Sequence, residues 1–327
     1  MNAFIAETQP NVLFDRMTFL EIEAYVQAIA NNSLLYEAKG FNARANSIDF
    51  LEFHILDQID ALRTVEPDQG RLTELYQKAE KVKSQLEEID NQLFSRLQQE
   101  IRQEKYNGKR FEELVKEYVS LENNKPLDED GYDNLDIFIN RLLTLQDMPE
   151  QSKSPEPQMV FYQKTPARVV FELVINAGFK KDDVFFDIGS GLGQVVMLVN
   201  LLAGIRTTGV EFDPAFCKYS EECAATLGLL DVDFVNTDAR DVDYNVGTVF
   251  FMYTPFKGKM LRDVLERLRK ESLKREIRII TYGPCTIEVA AQDWLYSTSE
   301  AGPGINSLAF FRSRKNQKAS GFSTEGF

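Results

Sequence analysis

Hydrophobic and polar positions follow two different patterns along the chain, and one pattern replaces the other near the midpoint of the chain. In the first half, apolar residues recur every three or four positions, which places them on one face of a helix. The longest such run extends from Leu72 to Leu97 through charged sequence and predicts a long, coiled-coil-like helix that ends at Asn107-Gly108. Shorter helices are predicted over Val12 to Tyr36, Asn46 to Leu62, Phe111 to Leu121 and Leu135 to Leu145. Residues 1–150 therefore predict an all-helical bundle with one long helix.

The second pattern begins after residues 148–157, whose three prolines indicate a linker. Short apolar runs then alternate with helical patterns, which is typical of an α/β domain with a mostly parallel sheet. Strands are predicted at Val184 to Ile188, Thr207 to Glu211, Val232 to Asn236, Thr248 to Tyr253 and Ile277 to Tyr282, with a closing antiparallel pair at Trp294 to Thr298 and Leu308 to Arg312. This domain is expected over 157–314, and the polar tail 315–327 is expected to be disordered.

Composition excludes several classes of function. No apolar run approaches the roughly 20 residues that a membrane helix needs, so no membrane partner is expected, and the first ten residues are too polar for a secretory signal. Three widely spaced cysteines argue against a disulfide framework and favour a cytoplasmic location. Because His54 is the one histidine, catalysis by an imidazole in the second half is excluded. No cysteine and histidine spacing indicates a metal site.

Charge is distributed unevenly. Residues 1–155 carry 17 basic and 29 acidic side chains, whereas residues 156–327 carry 20 and 22. An acidic surface repels a phosphate backbone and attracts a basic protein. The first half is therefore a candidate for docking a basic protein, and the alternative is that its charge serves only solubility.

A glycine-rich loop follows the first predicted strand. The run from Asp187 to Gly193 has the spacing G-x-G-x-G, which lets the backbone turn sharply and lets a ligand lie against it. Glu211, at the end of the next strand, can accept hydrogen bonds from ribose hydroxyls. Dinucleotide sites carry two residues before their last glycine, one more than this loop has. Asp187 also favours a ligand with an ammonium group over a pyrophosphate.

These residues resemble motifs I and II of class I S-adenosylmethionine-dependent methyltransferases, and the similarity extends over roughly 157–314. The resemblance implies a Rossmann-like fold, S-adenosyl-L-methionine as cofactor and no metal. By the same resemblance, cofactor contacts are implied for Asp187, Gly189, Gly191, Gly193, Glu211, Asp238 and Ala239. The fourth strand ends in Tyr253-Thr254-Pro255-Phe256, at the motif IV position beside the transferred methyl group, so these four residues are the catalytic candidates.

A narrower resemblance involves the run from Tyr162 to Pro166 together with the loop through Gln194. Both are similar to the histone lysine methyltransferases without a SET domain, the disruptor-of-telomeric-silencing family. That similarity implies that Tyr162, Thr165 and Gln194 contact the methionine part of the cofactor and that the acceptor is a lysine amine. The chain departs from those enzymes at Tyr253-Thr254, where they carry an asparagine pair.

Three alternatives remain open at this point. The first is an RNA acceptor, which the basic residues after Phe256 allow; Phe256 itself can stack on a base or on a lysine stem. The second is a small-molecule acceptor, which is also compatible with the fold. A non-enzymatic module that binds the cofactor and an interaction partner is a third function. The apolar stripe from Leu72 to Leu97 can pack within the bundle or can dimerise the protein.

Overall fold

The structure, a computed structural model, describes residues 17–64, 68–104, 106–121, 132–144, 148–298 and 304–314. The chain forms two compact units. One consists of Met1–Ile101 with Glu112–Leu142, and the other of Arg102–Phe111 with Leu143–Phe327. The predicted tail 315–327 and the start of the first predicted helix lie outside the described residues. The domain border expected near residue 150 stays a prediction.

Helices make up all the regular structure among the described residues of the first unit, which confirms the all-helical N-terminal region. Their bounds are α1 Phe19–Ala30, α2 Phe41–Phe50, α3 Asp57–Arg63, α4 Gln69–Glu104, α5 Lys109–Lys116 and α6 Asn134–Leu143, with 3-10 turns at Ser33–Tyr36 and Ala38–Gly40 and a π-helical turn at Leu51–Leu56. The long helix predicted from the apolar stripe is α4, which is 36 residues long.

Several helix boundaries differ from those that the sequence predicts. The helix predicted over Phe111 to Leu121 is α5, which already ends at Lys116. Helix α1 begins after Thr18, whose side chain and that of Glu21 form a capping box, and it ends at Ala30 with Asn31 as its C-cap. The predicted helix to Tyr36 was therefore too long. Asn46-Ser47 does not start the next helix, because α2 already begins at Phe41 and the Ser47 hydroxyl donates to the Ala43 carbonyl within it.

The apolar stripe of α4 faces the core of its own unit. Its first half joins one hydrophobic cluster with residues of α1 and of the segment from Leu51 to Ile59. The members from α4 are Leu72, Leu75, Ala79, Val82 and Leu86, none more than 5% exposed. This burial favours the helix-packing interpretation of the stripe, and dimerisation through these helices stays a prediction.

The second unit is built on a seven-stranded sheet with the order β3-β2-β1-β4-β5-β7-β6. The strands are β1 Val184–Ile188, β2 Arg206–Glu211, β3 Val232–Asn236, β4 Val249–Tyr253, β5 Arg278–Tyr282, β6 Leu295–Ser297 and β7 Ala309–Ser313. The first five are parallel, while β7 pairs antiparallel with both β5 and β6. The predicted Rossmann-like, mostly parallel sheet and its antiparallel pair are confirmed.

Helix α7 Ala167–Ala177 precedes β1, and four helices lie between successive strands: α8 Gln194–Ala203, α9 Pro214–Leu227, α10 Gly258–Ser272 and α11 Cys285–Ala290. The strand order reverses between β1 and β4, so the loops that follow these two strands diverge there and leave a crevice at the carboxyl edge of the sheet. The glycine loop follows β1 and therefore borders this crevice. Among the described residues, no helix combines the length and the apolar character needed to cross a bilayer.

Candidate functional site

The glycine loop is held by the neighbouring strand and covered by two side chains. The amides of Gly189 and Ser190 donate to the Val210 carbonyl, at 2.9 and 3.0 Å. All three loop glycines have positive φ: 84° at Gly189, 53° at Gly191 and 75° at Gly193. A Cβ added at Gly189 would lie 2.4 Å from the Pro255 side chain. The loop thus needs glycine for its backbone conformation and for close packing.

Tyr162 covers the loop at Gly191. A Cβ at Gly191 would lie only 2.2 Å from the Tyr162 ring, and the ring also meets Phe216 edge-on at 5.7 Å. The Tyr162 side chain is 41% exposed, so one part of it faces solvent. The structure therefore brings Tyr162 and the glycine loop together, and the contact of Tyr162 with the methionine part of the cofactor stays a prediction.

Glu211 is oriented by two backbone amides. The Gly191 amide donates to its Oε2 atom and the Asp213 amide to its Oε1 atom, both at 2.8 Å. Burial raises the pKa of this carboxyl group above its ordinary value. Because each carboxylate oxygen has a second lone pair, Glu211 retains capacity to accept two hydrogen bonds from a diol.

Asp187 lies at the end of β1 and is 4% exposed. Burial, together with the nearby Glu211 charge, raises the pKa of its carboxyl group to about 8. Two carboxyl groups that share a poorly solvated site disfavour each other's ionised form. A cationic ligand beside them would relieve this, which fits the ammonium-bearing ligand that the sequence predicts.

Unpaired polar atoms are buried next to the same loop. Gln194, the first residue of α8, is 3% exposed, and both polar atoms of its side-chain amide are buried without a hydrogen-bond partner among the residues that the structure describes. The Ser190 hydroxyl is in the same state. Because an unsatisfied buried polar group costs about 1–3 kcal/mol, these atoms fit a site that a polar ligand completes. Thr165, also implied in cofactor binding, is buried at 6% exposure.

Asp238 follows β3 and is engaged by a neighbouring arginine. Its Oδ1 atom accepts from the Arg240 amide at 2.8 Å and from Arg240 Nε at 2.9 Å, and its Oδ2 atom accepts from an Arg240 terminal nitrogen at 2.6 Å. Hydrogen bonding to Arg240 holds the pKa of Asp238 below its ordinary value. The Ala239 carbonyl accepts from the buried Tyr244 hydroxyl at 2.9 Å. Asp238 and Ala239 therefore belong to a stiffened turn, and their predicted contact with adenine is untested.

The motif IV residues serve different purposes in the structure. Thr254 has a φ of 43°, and it is the one non-glycine residue with positive φ in the described part of the chain. Its hydroxyl donates to the Tyr282 carbonyl and accepts from the Cys285 amide, both at 3.2 Å. Phe256 is 4% exposed and lies in the hydrophobic core. This burial corrects the prediction that Phe256 stacks on an acceptor, because the core encloses its ring.

Two tyrosines meet where β4 and β5 end. The ring centroids of Tyr253 and Tyr282 lie 5.0 Å apart at an angle of 54°. Burial raises the pKa of Tyr282, and the nearby carboxylate of Glu172 on α7 raises it further. Tyr282 therefore keeps its proton at neutral pH, and the pair presents ring faces and hydroxyls beside Thr254.

The segment 152–162, which we call the strap, crosses the carboxyl edge of the sheet, whereas the prolines of residues 148–157 predict a linker. Its first contact is with Asp213, whose carboxylate accepts from the Ser152 and Lys153 amides at 2.7 and 2.6 Å. Asp213 also caps α9 by accepting from the Ala215 amide at 2.8 Å. Asp followed by proline is a readable helix start, but nothing local indicates that the cap also anchors the strap.

No metal centre is evident in the parts of the chain that the structure describes, since nowhere in them do three or more histidine, cysteine or acidic side chains gather to hold an ion.

The family model described as histone methylation protein DOT1 matches residues 158–231. This stretch runs from the strap through the glycine loop and Glu211 to the turn after α9.

Several solved structures of methyltransferases are similar to part of this chain. An RNA methyltransferase from Salinibacter ruber, solved with S-adenosyl-L-homocysteine, is 22% identical, covers 50% of this chain and 100% of its own, and has a TM-score of 0.36. A precorrin-6y C5,15-methyltransferase from Geobacter metallireducens is 14% identical, with coverage of 48% and 93% and a TM-score of 0.36. A ribosomal protein L11 methylase from Lactobacillus delbrueckii is 18% identical, with coverage of 46% and 78% and a TM-score of 0.35. At such low identities and TM-scores, these structures add nothing about the acceptor.

Proposed function

We propose that this S-adenosylmethionine-dependent methyltransferase, which is similar to the DOT1 family over residues 158–231, methylates the side-chain amine of a lysine in a basic protein. The observation that carries the acceptor class is the Tyr253–Tyr282 pair beside the glycine loop. Pro255 packs on Gly189, so the end of β4 adjoins the loop. An acceptor bound against the two tyrosines would therefore lie next to the cofactor.

The cofactor roles that we propose follow the contacts of each residue. Glu211 accepts from the ribose hydroxyls, because two amides already fix its orientation. Asp187 offsets the positive charge of the methionine part, and Gln194 satisfies its buried amide on the same part. The remaining proposed contacts come from Tyr162, Thr165, Gly189, Gly191, Gly193, Asp238 and Ala239. The bound cofactor supplies an activated methyl group on its sulfonium.

On the acceptor side, the described residues favour an amine that arrives as a cation. Aromatic faces attract an ammonium group, and the Glu172 carboxylate near Tyr282 adds to that attraction. The amine must lose its proton before it has a lone pair to attack with. Because Tyr282 stays protonated, we propose that this proton passes to solvent and that the tyrosines orient the amine.

A lysine acceptor also agrees with the charge of the chain. The acidic surplus of residues 1–155 would attract a basic protein, so we propose that the helical region, expected over 1–150, docks the substrate and that the domain over 157–314 performs the transfer.

The test is incubation of the full chain with cofactor labelled in its methyl group and with a cell extract. We expect label in material that is sensitive to protease and resistant to nuclease. Tyr282→Ala should lower the transfer at least tenfold while leaving the affinity for S-adenosylhomocysteine unchanged. Tyr296→Ala, which alters a 40% exposed tyrosine on β6, should behave as the wild type. Label confined to RNA or to small molecules would refute the proposal in favour of the alternatives.

A further inference from the structure

Three loops at the carboxyl edge of the sheet hold the strap. Asp213 after β2 binds its beginning, where the Ser152 hydroxyl also donates at 2.9 Å. Its other end lies along the loop after β4: the Val160 amide donates to the Pro255 carbonyl at 3.0 Å, and the Lys257 amide donates to the Gln158 carbonyl at 2.9 Å. These two attachments use backbone groups or a buried carboxylate, so they belong to the fold of the unit.

The third attachment, in the middle of the strap, is made by side chains alone. A terminal nitrogen of Arg240 donates to Glu156 Oε1 at 2.8 Å and also to Asp238 Oδ2 at 2.6 Å. The two bonds from Arg240 Nε and this nitrogen to Asp238 form a bidentate pair that fixes the guanidinium plane. Side-chain exposure is 45% for Glu156, 32% for Arg240 and 16% for Asp238, so the network lies at the rim of the site.

The strap carries a group that closes the glycine loop. Tyr162, at its end, lies so close to Gly191 that a single added carbon would collide with its ring. A shift in the middle of the strap would therefore displace Tyr162 relative to the glycine loop. Arg240 thus connects the turn that contains Asp238, the proposed adenine contact, to the segment that places Tyr162 over the proposed methionine contact.

We propose that Arg240 is a positioning residue for cofactor binding, which acts through Glu156 by fastening the strap over the crevice. The inference rests on the proposed cofactor site and is independent of the acceptor. A guanidinium matches this place because its fork binds one carboxylate in two bonds while a nitrogen still reaches a second carboxylate. A lysine ammonium keeps the charge but cannot hold this planar geometry.

The first measurement is calorimetric binding of S-adenosylhomocysteine. We expect Glu156→Gln to raise the dissociation constant several-fold and Arg240→Gln to raise it on the order of tenfold, with Arg240→Lys recovering only part of the loss. Glu156→Gln added to Arg240→Gln should cause no further loss, because both act through one ion pair. Arg269→Ala, which removes an exposed pair with Glu266 on α10, should match the wild type.

The second measurement is amide hydrogen exchange without ligand. The Met159 amide donates to the Glu156 carbonyl inside the strap at 2.9 Å, and it should exchange faster in Glu156→Gln and Arg240→Gln. The amides of β1 should be unchanged, which shows that both variants fold. Wild-type affinity and wild-type exchange in Glu156→Gln would overturn the proposal, as would independent, additive losses in the double variant. Failure to find methylated lysine would instead affect only the acceptor and leave these results as they stand.

Discussion

Asp187 is a carboxyl group in a place where ionisation is costly. Burial and the charge of Glu211 raise its pKa from 3.8 to about 8. Between pH 3.8 and about pH 8, the folded chain without ligand therefore keeps the proton on Asp187, whereas the unfolded chain has released it. As a result, this group makes the free energy of unfolding fall as pH rises through the window. A cationic ligand makes the ionised form of Asp187 the favoured one, because the ligand binds the carboxylate.

A pH dependence of binding follows from this. Below about pH 8, the ligand must displace the proton of Asp187. Affinity for S-adenosylhomocysteine, which retains the ammonium group, should therefore rise by up to about tenfold per pH unit and level off above that pH. Calorimetry between pH 6 and pH 8 in buffers of different ionisation enthalpy measures both the affinity and the proton release. In Asp187→Asn the slope should vanish; an unchanged slope in this variant would assign the titration to another group.

Gly191 offers a steric test with a matched control. Its φ is 53°, and an added Cβ would lie 2.2 Å from the Tyr162 ring. Gly178 has nearly the same φ, 57°, with nothing within 4 Å of an added Cβ. Gly178→Ala therefore carries the backbone cost alone, whereas Gly191→Ala also displaces Tyr162. We expect Gly191→Ala to weaken S-adenosylhomocysteine binding at least tenfold and Gly178→Ala to leave it unchanged. Equal affinities in the two variants would show that Tyr162 does not close the site.

At this scale, sequence spacing predicted part of the site and missed the rest for a physical reason. The glycines, Asp187 and Glu211 are readable because a strand, a tight turn and a second strand impose fixed offsets. The positive φ of Thr254 is not readable, because it depends on the Tyr282 carbonyl and the Cys285 amide from a distant strand and helix. Arg240 was missed for the same reason, since its partner Glu156 is remote in sequence.

Among the elements, α4 gives the clearest relation between pattern and packing. Its apolar stripe is buried against other helices of its unit, with Leu86 at 0% exposure. Leu86→Ala should lower the free energy of unfolding by about 2–5 kcal/mol, because it leaves a cavity in a packed core. Leu20→Ala on α1 is the control, since Leu20 is 69% exposed and its loss should cost little. Denaturant titration measures both. A small loss of unfolding free energy in Leu86→Ala would mean that the apolar stripe of α4 is not packed in the core in solution.

Strands were better predicted than helix ends. Buried parallel strands are short apolar runs bounded by polar residues, so their positions are readable. Helix boundaries depend on which of several capping residues is used. Thr18 caps α1 through Glu21, whereas Asn46-Ser47 is a plausible cap that the continuous helix around it overrides. The short helix α11 escaped prediction because six residues give too little periodicity.

For the whole molecule, the structure establishes the fold, whereas the acceptor is a proposal. The family match over residues 158–231 includes β1, the glycine loop and β2. A fold of this kind serves many acceptors, so the acceptor has to be argued from the site. A cationic amine on a basic protein is favoured by three features. These are the Tyr253–Tyr282 pair, the Glu172 carboxylate and the acidic surplus of residues 1–155.

The most direct measurement of this claim is the chemical identity of the labelled product. The chain is incubated with methyl-labelled cofactor and a basic protein fraction, and the labelled protein is isolated and hydrolysed to amino acids. We expect the label to elute with N-methylated lysine and Tyr282→Ala to reduce it greatly. Label recovered in another amino acid, in nucleotides, or in no macromolecule at all would rule out a lysine acceptor.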